Sequence, residues 1–209
     1  MRKKIIFGTV IFGFLAAVII GVVYFNKNYI IVKEYSGNGA YKPRIIRTDA
    51  TSISKKTDEN IEIHLAVKCT PNLKKCKNLK RINVIVYDGA NLECLSEMND
   101  LEIIMIGYEN GYCGKLETLP ELPNLKELIL SGGIWNESNF KLSSGNEYNF
   151  SSIETLKIYY FTSIDCDALK YFENLHTLKI SKLKGDLTNE EIWKLESRGI
   201  NVEIEQRRY

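Results

Sequence analysis

The sequence predicts an α/β fold, in which a repeated unit stacks short parallel strands behind one apolar N-terminal helix. Two patterns predict it. In LETLPELPNLKELIL, residues 116–130, leucines stand three apart at Leu116, Leu119, Leu122, Leu125 and Leu128, and the step then shortens to two at Leu130. The second pattern is Ile5 to Phe25, a run of 21 residues without a charge.

The apolar run comes first in the chain. At about 1.5 Å per residue it makes roughly 31 Å of helix, which matches a hydrocarbon core of ~30 Å. A cleaved signal peptide has a shorter apolar region and small residues at the cut. Here the run closes with Val22, Val23, Tyr24, Phe25 and Asn26. The expectation is therefore an uncleaved transmembrane signal anchor over 5–25, with 1–4 a cytoplasmic tail and the bulk of the chain extracytoplasmic. Arg2, Lys3 and Lys4 abut the run, although Lys27, Lys33, Lys42 and Arg44 nearly balance them on the other side. Gly13, Ala17 and Gly21 lie four apart on one helix face. Small residues permit close helix approach in lipid, so a homodimeric or heteromeric contact along the span is one reading. The other is that glycine and alanine are simply common in such helices.

Residues 26–58 carry Gly37, Gly39, Pro43 and many Lys, Ser, Thr and Asn residues, with only short apolar patches such as YIIVKEY. Nothing there repeats, and the segment reads as a stalk or linker before a domain over 59–209.

Within that domain the broken leucine step recurs. LKRINV (79–84), LEIIMI (101–106), LKELIL (125–130), IETLKI (153–158) and LHTLKI (175–180) all follow apolar-x-x-apolar-x-apolar. Their central residues, Ile82, Ile104, Leu128, Leu156 and Leu178, are separated by 22, 24, 28 and 22 positions. GINVEI, with Val202 and Ile204, is a degenerate sixth copy. A step of two places both side chains on one face of a strand. A step of three suits a turn or 3₁₀ segment, where residues i and i+3 lie above one another. Pro120 and Pro123 are acceptable in such a ladder and poor inside a regular helix. Each unit leaves an apolar ridge that only a stacked neighbour can bury.

The pattern resembles the leucine-rich repeat family, whose consensus is L-x-x-L-x-L-x-x-N-x-L with a period of roughly 20–29 residues. The resemblance runs from about Leu73 to Ile204. It implies a leucine-rich repeat solenoid of about five to six repeats. The consensus Asn is absent: its places hold Tyr87, Glu109, Gly133, Phe161 and Leu183. NIEIHLAVKC (60–69), with Ile61, Ile63, Leu65 and Val67 alternating, reads as an N-terminal cap strand. Thr188 with Glu191, then Ile192, Leu195 and Gly199, reads as a capped helix that stops before a last strand.

Five cysteines, Cys69, Cys76, Cys94, Cys113 and Cys166, make an odd count. Cys69 and Cys76 flank the turn into the first repeat and are placed to form a disulfide. No spacing matches a zinc signature, and no cofactor or metal is expected. There is no nucleophile motif, glycine-rich phosphate loop or histidine-containing triad, so enzyme activity is not expected. The 28 Lys+Arg against 26 Asp+Glu give a net charge of +2, too little for a nucleic-acid footprint.

Strand alternation leaves a candidate partner-binding face opposite the core. The resemblance implies that this face is concave. It groups Arg81, Ile103 and Glu127 in one column, with Asn83, Met105, Ile129, Lys157 and Lys179 in the next. Ile85 and Tyr159 belong to a third. Ile85, Ile103, Met105 and Ile129 would form an apolar patch there, and such patches usually mark a partner. The expected function is a membrane-anchored, non-catalytic module that binds a protein or peptide. The alternative is a structural subunit of a membrane complex, assembled through the span.

Overall fold

The three-residue leucine step is a backbone ladder. The amide of Cys76 donates to the Leu73 carbonyl (2.9 Å), and Leu79 donates to Cys76 (3.3 Å). Leu95, Met98 and Leu101 continue the same rule from Leu92 at 2.9, 3.1 and 3.1 Å, and Leu119 donates to Leu116 at 2.9 Å. Bonds from i+3 to i stack every third side chain on one side. That side is the core: Leu73, Cys76, Leu79, Leu92, Leu95, Met98 and Leu101 are all fully buried. Full burial of a side chain of this size contributes roughly 1.5–3 kcal/mol.

The computed structural model describes residues 2–35, 41–50, 54–55, 58–62, 64–66, 73–86, 92–108, 116–132, 139–142, 148–181, 185 and 187–205. Helix α1 spans Arg2–Asn28 and is followed by β1 (Tyr29–Tyr35), β2 (Tyr41–Arg47), β3 (Ser54–Lys55), β4 (Asp58–Glu62) and β5 (His64–Ala66). Then come β6 (Arg81–Val86), β7 (Ile103–Tyr108), β8 (Glu127–Ser131), β9 (Asn139–Phe140), β10 (Thr155–Tyr159) and β11 (Ser163–Ile164). β12 (Thr177–Ser181), α2 (Asn189–Ser197) and β13 (Asn201–Glu205) complete the order. One nine-stranded sheet runs β13-β12-β10-β8-β7-β6-β5-β1-β2, and two-stranded pairs β9–β11 and β3–β4 lie apart from it. Pairing is parallel from β5 to β13 and antiparallel for β1 with β2 and with β5.

A repeated stitch holds the parallel strands in step. The Lys80 carbonyl accepts from the amides of Glu102 and Ile103 at 2.8 and 2.9 Å. Glu102, Lys126 and Glu154 each accept in turn from two amides of the next strand entry. Side-chain amides add to it: Asn124 donates to the Asn99 carbonyl (2.8 Å) and Asn174 to that of Ser151 (2.7 Å). Polar bonds thus fix the register in which the apolar columns meet. Of the places where the family consensus has Asn, only Phe161 is described. It is fully buried and meets Tyr108 edge-on at 6.3 Å.

Several expectations are corrected. The fold class predicted from the sequence, a leucine-rich repeat solenoid behind a transmembrane helix, is replaced by a mixed α/β arrangement: the parallel strands continue into an antiparallel hairpin. The hairpin is made from residues expected to form a stalk. Ile30, Val32 and Ile46 lie in its core-facing rows and join the main hydrophobic cluster. Glu34 is buried on the same face, paired with Arg44 (3.2 Å) and Lys42 (3.6 Å). The expected cap strand is divided, with β4 paired to β3 and β5 to β6.

The transmembrane span, and with it the single-pass placement of the chain, is also corrected. Among the described residues no helix is long and apolar enough to cross a membrane. Side chains of α1 are described from Leu15 to Asn28. Ala17 and Gly21 are exposed there, and a Cβ added at Gly21 would meet nothing within 4 Å; Gly13 lies outside these residues.

At the other end, α2 is closed by a reciprocal capping box. The Thr188 hydroxyl accepts from the Glu191 amide (3.2 Å), while the Glu191 carboxylate accepts from the Thr188 amide (2.8 Å). The same backbone and hydroxyl donors of Thr188 hold the Glu191 carboxyl below its ordinary value. Because that value is depressed on folding, the cap's contribution is present above about pH 4.3 and is lost as pH falls through the folded value. Thr188→Ala should therefore cost about 1 kcal/mol near neutral pH in urea unfolding. Its deficit should shrink in acid, and a pH-independent deficit would remove Glu191 from the explanation.

Candidate functional site

Alternation along each parallel strand sends one set of side chains into the core and the other to the open face of the sheet. The register makes columns of the second set. Asn83 lies beside Met105, Met105 beside Ile129, Ile129 beside Lys157, and Lys157 beside Lys179. Arg81, Ile103 and Glu127 form the first column, followed by Thr155 and Thr177. The third runs Ile85, Gly107, Ser131, Tyr159 and Ser181. The sheet thus brings together all ten residues chosen from the sequence for this face.

The face is more crowded than alternation alone predicts. Ile129 is only 6% exposed, although it lies outside the main core cluster. Asn83 and Ser181 are also buried. Met105, Ile103, Ile85 and Tyr159 are half-buried. Gly107 shows why side chains close over the sheet: an added Cβ would stand 2.6 Å from Ile85 Cδ1. The Ile85 side chain therefore occupies the space that any larger residue at 107 would fill. The expectation that Ile129 offers a free outward side chain is corrected accordingly.

Two lysines of the face are neutralised in place. Lys157 donates to Glu127 at 2.9 Å, and Lys179 to Glu203 at 2.6 Å. Lys80–Glu102 (2.6 Å) and Lys126–Glu154 (3.7 Å) repeat the pattern at the strand entries. The exposed pairs among these, all but the half-buried Lys157–Glu127, add little stability, but together the pairs dissolve any basic stripe. Sequence reading left β5 and β13 out of the face. The register continues the sheet at β5, where His64 and Ala66 pair with Asn83 and Ile85 of β6, and adds Asn201, Glu203 and Glu205 beside β12. The degenerate copy GINVEI carried the signal for Asn201 and Glu203, and Glu205 follows it directly.

Elsewhere the chemistry is sparse. A cleft of about 560 Å³ lies between α2 and the 3₁₀ segment Cys166–Tyr171. Carboxylates of Asp165, Asp167 and Glu191 share it with Lys194 and Arg198. Burial pushes the thiol of Cys166 up to about 11, with help from Glu191, Asp165 and Asp167. A thiol held that high is protonated near neutral pH and is a poor nucleophile. Cys76, half of the suggested disulfide, is a free buried thiol in a leucine place of the first ladder, and Cys69 lies outside the described residues. Among the described residues no group of three His, Cys, Asp or Glu side chains is arranged to hold a metal.

Comparison with family models, curated proteins and solved structures yields no match to this chain. The likeness to leucine-rich repeats is therefore a likeness of sequence pattern.

Proposed function

We propose that the open face of the sheet is a non-catalytic docking surface for a protein or an extended peptide. One observation carries the reading. Ile85, Ile103 and Met105 come from two adjacent strands in strict register and stand half-exposed on a face that is not the core. Apolar side chains grouped this way, rimmed by polar ones, are the usual make-up of an interaction site. Tyr159 and the paired Lys157 and Lys179 supply that rim on one side, Arg81 on the other. The neutralised lysines favour a protein partner over nucleic acid, which would need unpaired cations along a track. The resemblance of the repeats to a family of binding proteins points the same way, by analogy of sequence.

Met105→Asp tests it. The side chain is half-buried on the open face, so the chain should keep its thermal transition and lose capture of its partner from an extract of the source cells. Undiminished capture by that variant would move the site elsewhere. Ile129→Lys is not an equivalent test, since a buried side chain there also carries stability.

A further inference from the structure

The two ends of the nine-stranded sheet are not alike. β2, at one end, carries Pro43, which has no amide to donate, and the cations Lys42, Arg44 and Arg47. Proline and basic residues, lysine above all, are standard guards of an edge strand against strand addition. β13, at the other end, has neither proline nor lysine or arginine. Among the described residues only β12 pairs with it.

Its outward side is built to continue the sheet. The Asn201 amide donates inward to the His176 carbonyl (2.8 Å). Amides alternate sides along a strand, so those of Val202 and Ile204 face the open edge. Their side chains prolong the core columns, beside Leu178 and Ile180. The core is unfinished here: Ile180 is 1% exposed, but Ile204 is 43% exposed. Trp193 of α2, 66% exposed, flanks the same end. The cleft against the preceding 3₁₀ segment takes Glu191, Lys194 and Leu195 from α2 and Arg198 from its C-cap. At ~100° per residue Trp193 lies roughly 150° from their mean direction, hence away from the preceding unit. On the opposite face of the strand Glu205 is exposed, and beside it Glu203 is held by Lys179 (2.6 Å) and by the Asn201 side-chain amide (3.1 Å).

We infer that β13 is a second docking site, which accepts an added strand of alternating apolar and basic residues from another protein. Edge amides and carbonyls would pair with its backbone, its apolar side chains would cover Val202 and Ile204, and a cation of it would meet Glu205 and add to the Lys179 contact on Glu203. A second copy joined through β13 would bring only further glutamates and no lysine or arginine of that strand to meet Glu205. That favours a basic partner. The site is separate from the open-face patch and stands without it.

The probe is a fluorescein-labelled heptapeptide of alternating lysine and valine, read by anisotropy against the full chain. It should bind, and Glu203→Lys with Glu205→Lys should weaken it roughly tenfold. Glu205→Lys alone, with a thermal melt, guards against misfolding from loss of the Lys179 pair, and should weaken binding by a smaller factor. The same peptide N-methylated on alternate amides should not bind, because its charge and apolarity remain while its ladder donors are gone. Met105→Asp should bind the peptide as the parent does. No binding, equal binding of the methylated peptide, or equal binding of a glutamate–valine peptide would each overturn the proposal. So would self-association of the chain that Ile204→Lys abolishes, since the occupant would then be a second copy.

Discussion

Phe172→Ala should cost about 3–5 kcal/mol, which is a large part of the stability of a domain this size. Phe172 is fully buried, and its ring lies 4.7 Å from that of Phe150. Phe150 stacks in turn on Tyr148, which meets Tyr171 edge-on at 4.8 Å. The backbone around the site is fixed: Phe172 donates to Leu169, and Leu175 donates to Phe172, both at 3.2 Å. A cavity held open by such a ladder cannot collapse, so the full transfer and cavity terms apply. The check is the shift in urea midpoint at unchanged slope. A loss below about 1 kcal/mol would show that the aromatic group repacks and that the ladder does not hold it open.

Val32→Asp separates a hairpin that belongs to the core from a stalk that merely precedes it. Val32 is fully buried, and its cross-strand neighbour Arg44 is already held by Glu34, so a carboxylate there would lose its water and compete for a cation that is taken. The variant should lose at least about 3 kcal/mol, and outright unfolding near 37 °C would agree. Ile45, on the other face of the same hairpin, is 56% exposed, and Ile45→Asp should stay within about 0.5 kcal/mol. Equal and small effects at both positions would return the segment to the role of linker.

The contrast between those two residues shows what sequence reasoning could reach. The places of the individual strands were legible, because Leu128 and Leu130 or Leu178 and Ile180 change the apolar period from three to two within one short window. So were the columns of the open face, which follow from alternation once the strands are placed. Their assembly into one mixed sheet was not. Ile30 and Val32 alternate as a strand should, but their partner Ile46 lies beyond a glycine-rich stretch, and a single antiparallel pairing leaves no repeat to notice. Burial of Ile129 and Asn83 was also hidden, since it depends on side chains of neighbouring strands closing over them. Charge-free length likewise suggested a membrane span at Ile5 to Phe25, a reading that composition makes without reference to which helix the chain builds.

Strand order that follows chain order makes the open face a ruler. Six steps separate β5 from β13, and at ~4.8 Å each they measure about 29 Å across the strands. An extended chain covers that distance in about nine residues. A ligand lying across the strands would need that many to reach from β5 to Glu203, with its apolar residues toward the β6 and β7 end. The isoleucine patch on β7 and Lys179 on β12 are three steps apart, about 14 Å, so peptides shorter than about five residues reach the patch or the Lys179–Glu203 pair but not both, and a threshold in ligand length is built into the spacing of the backbone itself.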